Sequence, residues 1–140
     1  GGLPGMTPLA AADMLQLNAA TALKAGQNGH FIVKAEINGR NVRVMVDTGA
    51  SAVALSYEDA QDVGLRPGSL DYNVPVSTAN GVVKAAGVNL DKVEIDGVRV
   101  TDVQGLVMPK GVMRGSLLGM SYLAKLKSFK VEDGVLYLKN

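Results

Sequence analysis

From His30 onward the chain alternates apolar and polar positions with a period of two. Phe31-Ile-Val-Lys-Ala-Glu-Ile37 is followed by Asn38-Gly39 and then by Arg40-Asn-Val-Arg-Val-Met-Val46. An Asn-Gly step tolerates positive φ at both positions, so the pattern predicts a β-hairpin. The same device recurs in Val93-Glu94-Ile95, Asp96-Gly97, Val98-Arg-Val100, which repeats Ala35-Glu36-Ile37, Asn38-Gly39, Arg40-Asn-Val42 closely in type. A third turn, Asp133-Gly134, separates Phe129-Lys-Val131 from Val135-Leu-Tyr-Leu138. The body is therefore predicted to be mostly β, with short strands and tight turns.

Two short helices are expected within it. One runs from Ser56 to about Val63, with Ser56 as N-cap, Asp59 at the third helical position and Gly64 as the stop. The other runs from about Ser121 to Leu126. In this reading each follows an apolar strand ending in Gly: Val44-Met-Val46-Asp-Thr-Gly49 for the first, Ser116-Leu117-Leu118-Gly119 for the second. Hairpin, apolar strand, Gly and helix thus occur twice, as two similar halves about a pseudo-twofold axis. Only the first half carries an acid. Ahead of the β region, residues 8–24 are Ala-rich and are expected to form a helix, with Thr7 as N-cap, Pro8 at its first position and Gly26 past its end. Residues 1–27 then form a leader and residues 28–140 the domain. The leader either packs on the domain surface as a tether or covers the active cleft as a pro-segment.

Composition narrows the chemistry. The 140 residues, 47% apolar and 19% charged, suit one folded domain and exclude a disordered tail. A net charge of +1, no basic run and 4% aromatic residues without Trp argue against nucleic-acid binding. The absence of Cys excludes a disulfide framework, a Cys-ligated zinc site and a thiol nucleophile. A single His, His30, argues against a Ser–His–Asp triad or a His-rich metal site, and its place at a strand start suits a capping or surface residue. Tyr57, Tyr72, Tyr122 and Tyr137 share no spacing and read as core or rim. Met108, Met113 and Met120 surround the second half-motif, where core filling outweighs pocket lining. Lys110 to Arg114 reads as a solvated loop. No run of about 18 apolar residues is present. The chain opens Gly1-Gly2-Leu3, the expectation for a trimmed chain whose upstream signal or anchor lies outside it. Catalysis, where present, must run on carboxylates.

Asp47 is the candidate. In Val46-Asp47-Thr48-Gly49-Ala50-Ser51 an acid ends a buried apolar strand, which is costly unless the carboxylate is hydrogen-bonded. Thr48 offers a hydroxyl, and Gly49 lets a backbone N–H approach closely. Small residues follow, a Leu-Leu-Gly lies far downstream in the matching half, and a polar Gly-containing hairpin lies between them. Together these resemble the retropepsin-like aspartic proteases, the one-Asp-per-chain branch of the pepsin-like clan, and among them the bacterial, often membrane-tethered members. The resemblance covers roughly residues 28–140. Asp47-Thr48-Gly49 matches the catalytic motif, Leu117-Leu118-Gly119 the apolar-apolar-Gly element before the C-terminal helix, and Ser77-Thr78-Ala79-Asn80-Gly81-Val82-Val83 the flap hairpin.

The resemblance implies an acid-protease fold, a closed β-barrel-like sheet with two short helices behind an N-terminal helical leader. It also implies a homodimeric endopeptidase acting on extended polypeptide. Two Asp47 side chains meeting on a twofold axis cannot both ionise, so the pair shares one proton. The chemistry needs no metal and no cofactor. Thr48 is expected to interlock across the dimer. Ala50 cannot offer the hydroxyl that two-lobed pepsins place beside the carboxylate, which implies activity in mildly acid conditions. Ser51 stands where retroviral enzymes carry an Asp that contacts substrate backbone. Ala50, Ser51, Thr78, Ala79, Asn80 and Gly81 are the implied substrate contacts, with Asn80-Gly81 turning the flap and the substrate added as a strand. The alternative for that segment is an ordinary surface hairpin. In viral members the termini interleave, whereas here Asp133-Gly134 closes the C-terminal strands on themselves. A bacterial periplasmic or envelope location and an upstream membrane tether also follow from the resemblance. The rival reading is a non-catalytic dimerisation or peptide-binding scaffold on the same fold.

Overall fold

Three two-residue turns set the frame. In a computed structural model, which describes residues 19–26 and 28–140, Asn38-Gly39, Asp96-Gly97 and Asp133-Gly134 carry φ of 51 and 84°, 47 and 84°, and 52 and 73°. That left-handed geometry matches the right-handed twist of the strands it joins. Asn38-Gly39 joins β2 (Ile32–Ile37) to β3 (Arg40–Val46), and Asp96-Gly97 joins β6 (Gly81–Ile95) to β7 (Val98–Val107). Asp133-Gly134 joins β9 (Ser128–Glu132) to β10 (Val135–Lys139). The remaining strands are β1 (Ala20–Lys24), β4 (Val53–Leu55), β5 (Tyr72–Thr78) and β8 (Ser116–Leu118).

The larger sheet has the order β2-β3-β8-β4-β7-β6-β5, and β2 also pairs β6 through Glu36↔Glu94 and Ile37↔Val93. Six strands therefore close into a barrel, with β5 hung on the far end of the long β6. Inward positions of every strand fill it: Ile37, Val44, Leu55, Leu90, Ile95, Val103 and Leu118 are all buried. Both expected helices are present. The first, α1 (Tyr57–Asp62), is capped by Ser56, whose Oγ accepts from Asp59 N at 3.1 Å, and Gly64 ends it at φ 86°. The second, α2 (Met120–Leu123), begins one residue earlier and ends sooner than expected. No helix among the described residues is long and apolar enough to cross a membrane.

The internal repeat exists, but its register differs from the one expected. Strand β3 runs parallel to β8 (Val44↔Ser116 to Val46↔Leu118), and β7 runs parallel to β4 (Gly105↔Val53 to Val107↔Leu55). Between these pairs β4 and β8 cross at Ala54↔Leu117. The equivalent of Leu117-Leu118-Gly119 is thus Ala54-Leu55-Ser56, and the equivalent of the strand that ends at Asp47 is β7. The Asp47 strand does not lead directly into α1, because β4 intervenes.

Strands β1, β10 and β9 form a separate three-stranded sheet in that order. The helix expected over residues 8–24 is corrected at its end: Ala20–Lys24 is a strand, antiparallel to β10 from Ala20↔Lys139 to Lys24↔Val135. Pairing with β10 overrides the helix propensity of the Ala-rich sequence. Residues 8–18 of that expected helix lie outside the described residues, and residue 19 is not helical. The paired part of the chain therefore begins by residue 20, inside the stretch read as leader.

Candidate active site

Asp47 lies just beyond β3, and its position is fixed from the neighbouring strand. Its N–H donates to Leu118 O at 3.0 Å, continuing the parallel ladder, and its C=O accepts from Ala50 N at 3.1 Å. The chain then turns so that Gly49 N–H donates to Asp47 Oδ1 at 2.9 Å. Asp47 is half-buried, and Thr48 and Gly49 are exposed. A Cβ on Gly49 would stand 3.2 Å from that same oxygen, closer than most side chains tolerate. The motif Gly is thus where the amide must reach the carboxylate.

The second half-motif supports the loop from below. Met120 N donates to Ala50 O at 2.8 Å. A Cβ on Gly119 would collide with the carbonyl oxygen of Ala52 and stand 2.7 Å from that of Ala50. Only glycine lets β8 pass this close beneath the Asp47 loop. Ser121 Oγ accepts from Val53 N at 2.9 Å and donates to Gln104 O at 2.7 Å, which ties α2 to β4 and β7. Behind the site, Ser116 Oγ donates to Asp59 Oδ2 at 2.5 Å and accepts from Ser56 N at 3.1 Å, pinning β8 to α1.

Asp47 opens into a cleft of ≈ 930 Å³. Gly49, Ala50 and Ser51 line it, as do Ser77, Thr78, Ala79 and Asn80 of the β5–β6 hairpin. Thr48 and Gly81 are not among the lining residues. The turn of that hairpin is Ala79-Asn80, with Thr78 paired to Gly81, so it is centred one residue before the expected Asn80-Gly81. Thr78 Oγ1 donates its proton to Gly81 O at 2.7 Å and accepts from Asn80 N at 3.3 Å. Its one donor is therefore spent on the turn itself and not held for a ligand.

Part of the wall is apolar. Val76 and Val83 from the hairpin, Leu106 and Met108 from β7 and the residue after it, and Val112 and Met113 from the next loop all face the cleft. Asp47 is the one ionisable side chain among the described residues that line it. Met108 and Met113, read as core filling, line the cleft, and Met108 is also buried in the core. Gln104, Leu106 and Val112 were not singled out from sequence; alternation along β7 and the apolar step in the Lys110–Arg114 loop were the available signals. His30 is exposed, and its carbonyl accepts from Gly26 N at 2.9 Å. Tyr122 is core: its hydroxyl donates to Val98 O at 2.7 Å. Burial pushes the Tyr122 phenol well above its ordinary value, with the carboxylates of Glu94 and Asp96 adding to the effect. Among the described residues no three His, Asp or Glu side chains come together as a metal cluster.

A barrel of this topology, with an Asp-Thr-Gly loop stacked on a Leu-Leu-Gly strand, defines a retropepsin-like aspartic protease. Residues 33–125 match the family model described as "gag-polyprotein putative aspartyl protease", and the chain belongs to that family. It is 41% identical over 113 residues to a Sinorhizobium sp. protein, "Uncharacterized protein in cobV 5'region", covering 81% of this chain and 48% of that one. It is also 41% identical over 111 residues to "Uncharacterized protein RP867" of Rickettsia prowazekii (strain Madrid E), covering 79% and 47%. The chain spans about half the length of these curated relatives. Among solved structures, a retropepsin-like aspartic protease from Rickettsia conorii superposes with a TM-score of 0.79 at 36% identity, covering 87% of this chain and 91% of that one. The EIAV protease complexed with the inhibitor HBY-793 superposes with a TM-score of 0.60 at 19% identity, covering 74% and 93%, a likeness of fold.

Proposed function

We propose that this chain is an aspartic endopeptidase that works as a homodimer, with Asp47 of two copies forming the catalytic pair. The observation that carries this reading is the placement of Asp47: a half-buried carboxylate, held by the Gly49 amide, is the single ionisable side chain among the described residues that line a cleft shared with the β5–β6 hairpin. A scaffold would not need a carboxylate held in this way at the cleft.

Two carboxylates brought together share one proton, because like charges at contact distance cannot both ionise. The ionised Asp47 takes a proton from a bound water as the water oxygen bonds to the scissile carbonyl carbon. The protonated Asp47 of the other copy hydrogen-bonds the developing oxyanion. A proton then passes to the leaving nitrogen, the C–N bond breaks, and an acid and an amine leave. The substrate runs as an extended strand between the Ala50-Ser51 floor and the Ala79-Asn80 turn, bonded through its main chain. The apolar walls favour apolar side chains flanking the cut. Thr48, exposed beside the pair, is assigned to contacts between copies. The similarity to bacterial proteins extends the proposal to an enzyme of the periplasm or cell envelope, tethered by a segment outside this chain.

The test is a paired digestion of an unstructured protein mixture by wild type and Asp47→Asn from acid to neutral pH, with new peptide ends read by mass spectrometry. Cleavage by wild type, lowered about a thousandfold or more in the variant, is expected. Cleavage that persists in the variant would assign the chemistry elsewhere. No cleavage by dimeric wild type would favour the scaffold.

A further inference from the structure

Ser51 and Gln104 belong to two cavities at once. They line the Asp47 cleft, and they also line a groove of ≈ 710 Å³ whose other residues come from β6, β7, α2 and the two residues after it. The chemistry changes along this path. Among the described residues the cleft holds Asp47 as its one ionisable side chain, whereas Asn89, Asp102 and Lys125 line the groove.

The backbone at Asp102 departs from the ladder. Strand β6 pairs β7 at Leu90↔Val103 and at Lys92↔Thr101, but not between them, where Asp91 stands opposite Asp102. Asp102 has φ 53°, left-handed backbone that Asp enters more readily than most residues. Distant side chains take the groups this frees. Asp91 N–H donates to Asn38 Oδ1 at 2.9 Å, and Lys125 Nζ donates to Asp102 O at 2.6 Å. Such a backbone persists only where its surroundings hold it.

Donors in the groove are committed, and its carboxylate is not. Lys125 holds its ammonium on Asp102 O, and Ser121 Oγ donates to Gln104 O at 2.7 Å. The exposed Asp102 carboxylate has one long contact, 3.5 Å from Asn89 Nδ2, and forms no ion pair among the described residues. The uncommitted charge at the groove is therefore negative, on a backbone fixed in advance.

We propose that this groove is a remote specificity site, where the Asp102 carboxylate takes a basic side chain of the substrate, arginine or lysine, that lies beyond the residues held in the cleft. Asn89 and Gln104 offer amide oxygens beside it, which suits the several N–H donors of a guanidinium. The proposal deepens the endopeptidase reading above and rests on it. Under that reading each copy supplies one such groove.

Peptides that share one cleavable core and vary outside it, carrying arginine, glutamine or glutamate there, test the assignment. Wild type should favour arginine over glutamine about fivefold in kcat/KM, a difference that shrinks with added salt. In Asp102→Asn the ratio should fall to about one; Asn also tolerates left-handed backbone, so the fold is kept. Equal cleavage of the three peptides by wild type, a preference for glutamate, or an arginine preference that survives in Asp102→Asn overturns the site and leaves the peptidase standing. The same peptides, titrated by fluorescence anisotropy against Asp47→Asn with and without Asp102→Asn, separate the two readings. Should wild type cut none of them, tighter binding of the arginine peptide that Asp102→Asn abolishes would keep the groove and overturn the peptidase. Equal binding would overturn both.

Discussion

Asp47 and Met108 occupy equivalent positions in the two halves of the domain. The amide of Asp47 donates to Leu118 O at 3.0 Å, and the amide of Met108 donates to Leu55 O at 2.9 Å. Each residue follows a strand that lies parallel to the short strand of the other half. The repeat therefore offers two places for an acid and fills one with a buried methionine. The described residues thus place a single carboxylate in the cleft, and under the proposed mechanism the second comes from another molecule.

Gly119→Ala should disrupt the site from beneath. The added methyl meets the backbone oxygens of Ala52 and Ala50, which have no rotamer to retreat into. We expect a loss of about 3 kcal/mol by chemical denaturation, with activity falling further than the folded fraction explains, because the Asp47 loop must shift. A stable, fully active variant would show that this close approach is not needed.

Ser116→Ala tests the buried link between the halves. The Ser116 side chain serves both Ser56 N and Asp59 Oδ2, and both serines are nearly inaccessible. Removing it strands the Ser56 amide and is expected to cost about 2 kcal/mol, read as a lower urea midpoint with an unchanged slope.

Thr78→Val removes the hydroxyl that holds Gly81 O and Asn80 N together at the hairpin tip. The tip is solvent-exposed, so thermal stability should change by less than about 1 kcal/mol. Peptide turnover should suffer more than stability, through a raised KM, if this hairpin closes on substrate. Equal kinetics would make it a surface hairpin and nothing more.

Tyr122→Phe carries a pH signature. Burial raises the Tyr122 phenol in the folded state, so the neutral form is favoured there. The stability gained from its bond to Val98 O is fully present below the ordinary tyrosine range, about pH 10. It is lost as pH rises beyond that, when the unfolded chain ionises and the folded one does not. Wild type should exceed the variant by about 1 kcal/mol at neutral pH, and denaturation curves at rising alkaline pH should show the gap closing.

Local chemistry was legible in the sequence wherever one short segment decides its own conformation. Asn38-Gly39, Asp96-Gly97 and Asp133-Gly134 turn because those residues accept positive φ, and Ser56 caps a helix because its hydroxyl reaches Asp59 N three residues on. Asp47-Thr48-Gly49 marked the site because backbone contact with a carboxylate demands a glycine beside it, and Leu117-Leu118-Gly119 marked it through its resemblance to the family's second half-motif. The three-residue β4 was missed because its ladder is made with distant β7 and β8 and leaves no period in so short a run. Ala20–Lys24 read as helix because propensity is local, whereas its pairing with β10 joins opposite ends of the chain.

The sequence by itself thus determined the hairpins, the caps and the kind of residue at each half-motif. Tertiary structure alone decided which elements correspond in the repeat, since parallel pairing across the barrel is a property of neither strand taken singly. It also decided which apolar side chains face the cleft instead of the core, because alternation along a strand names two faces without saying what covers each.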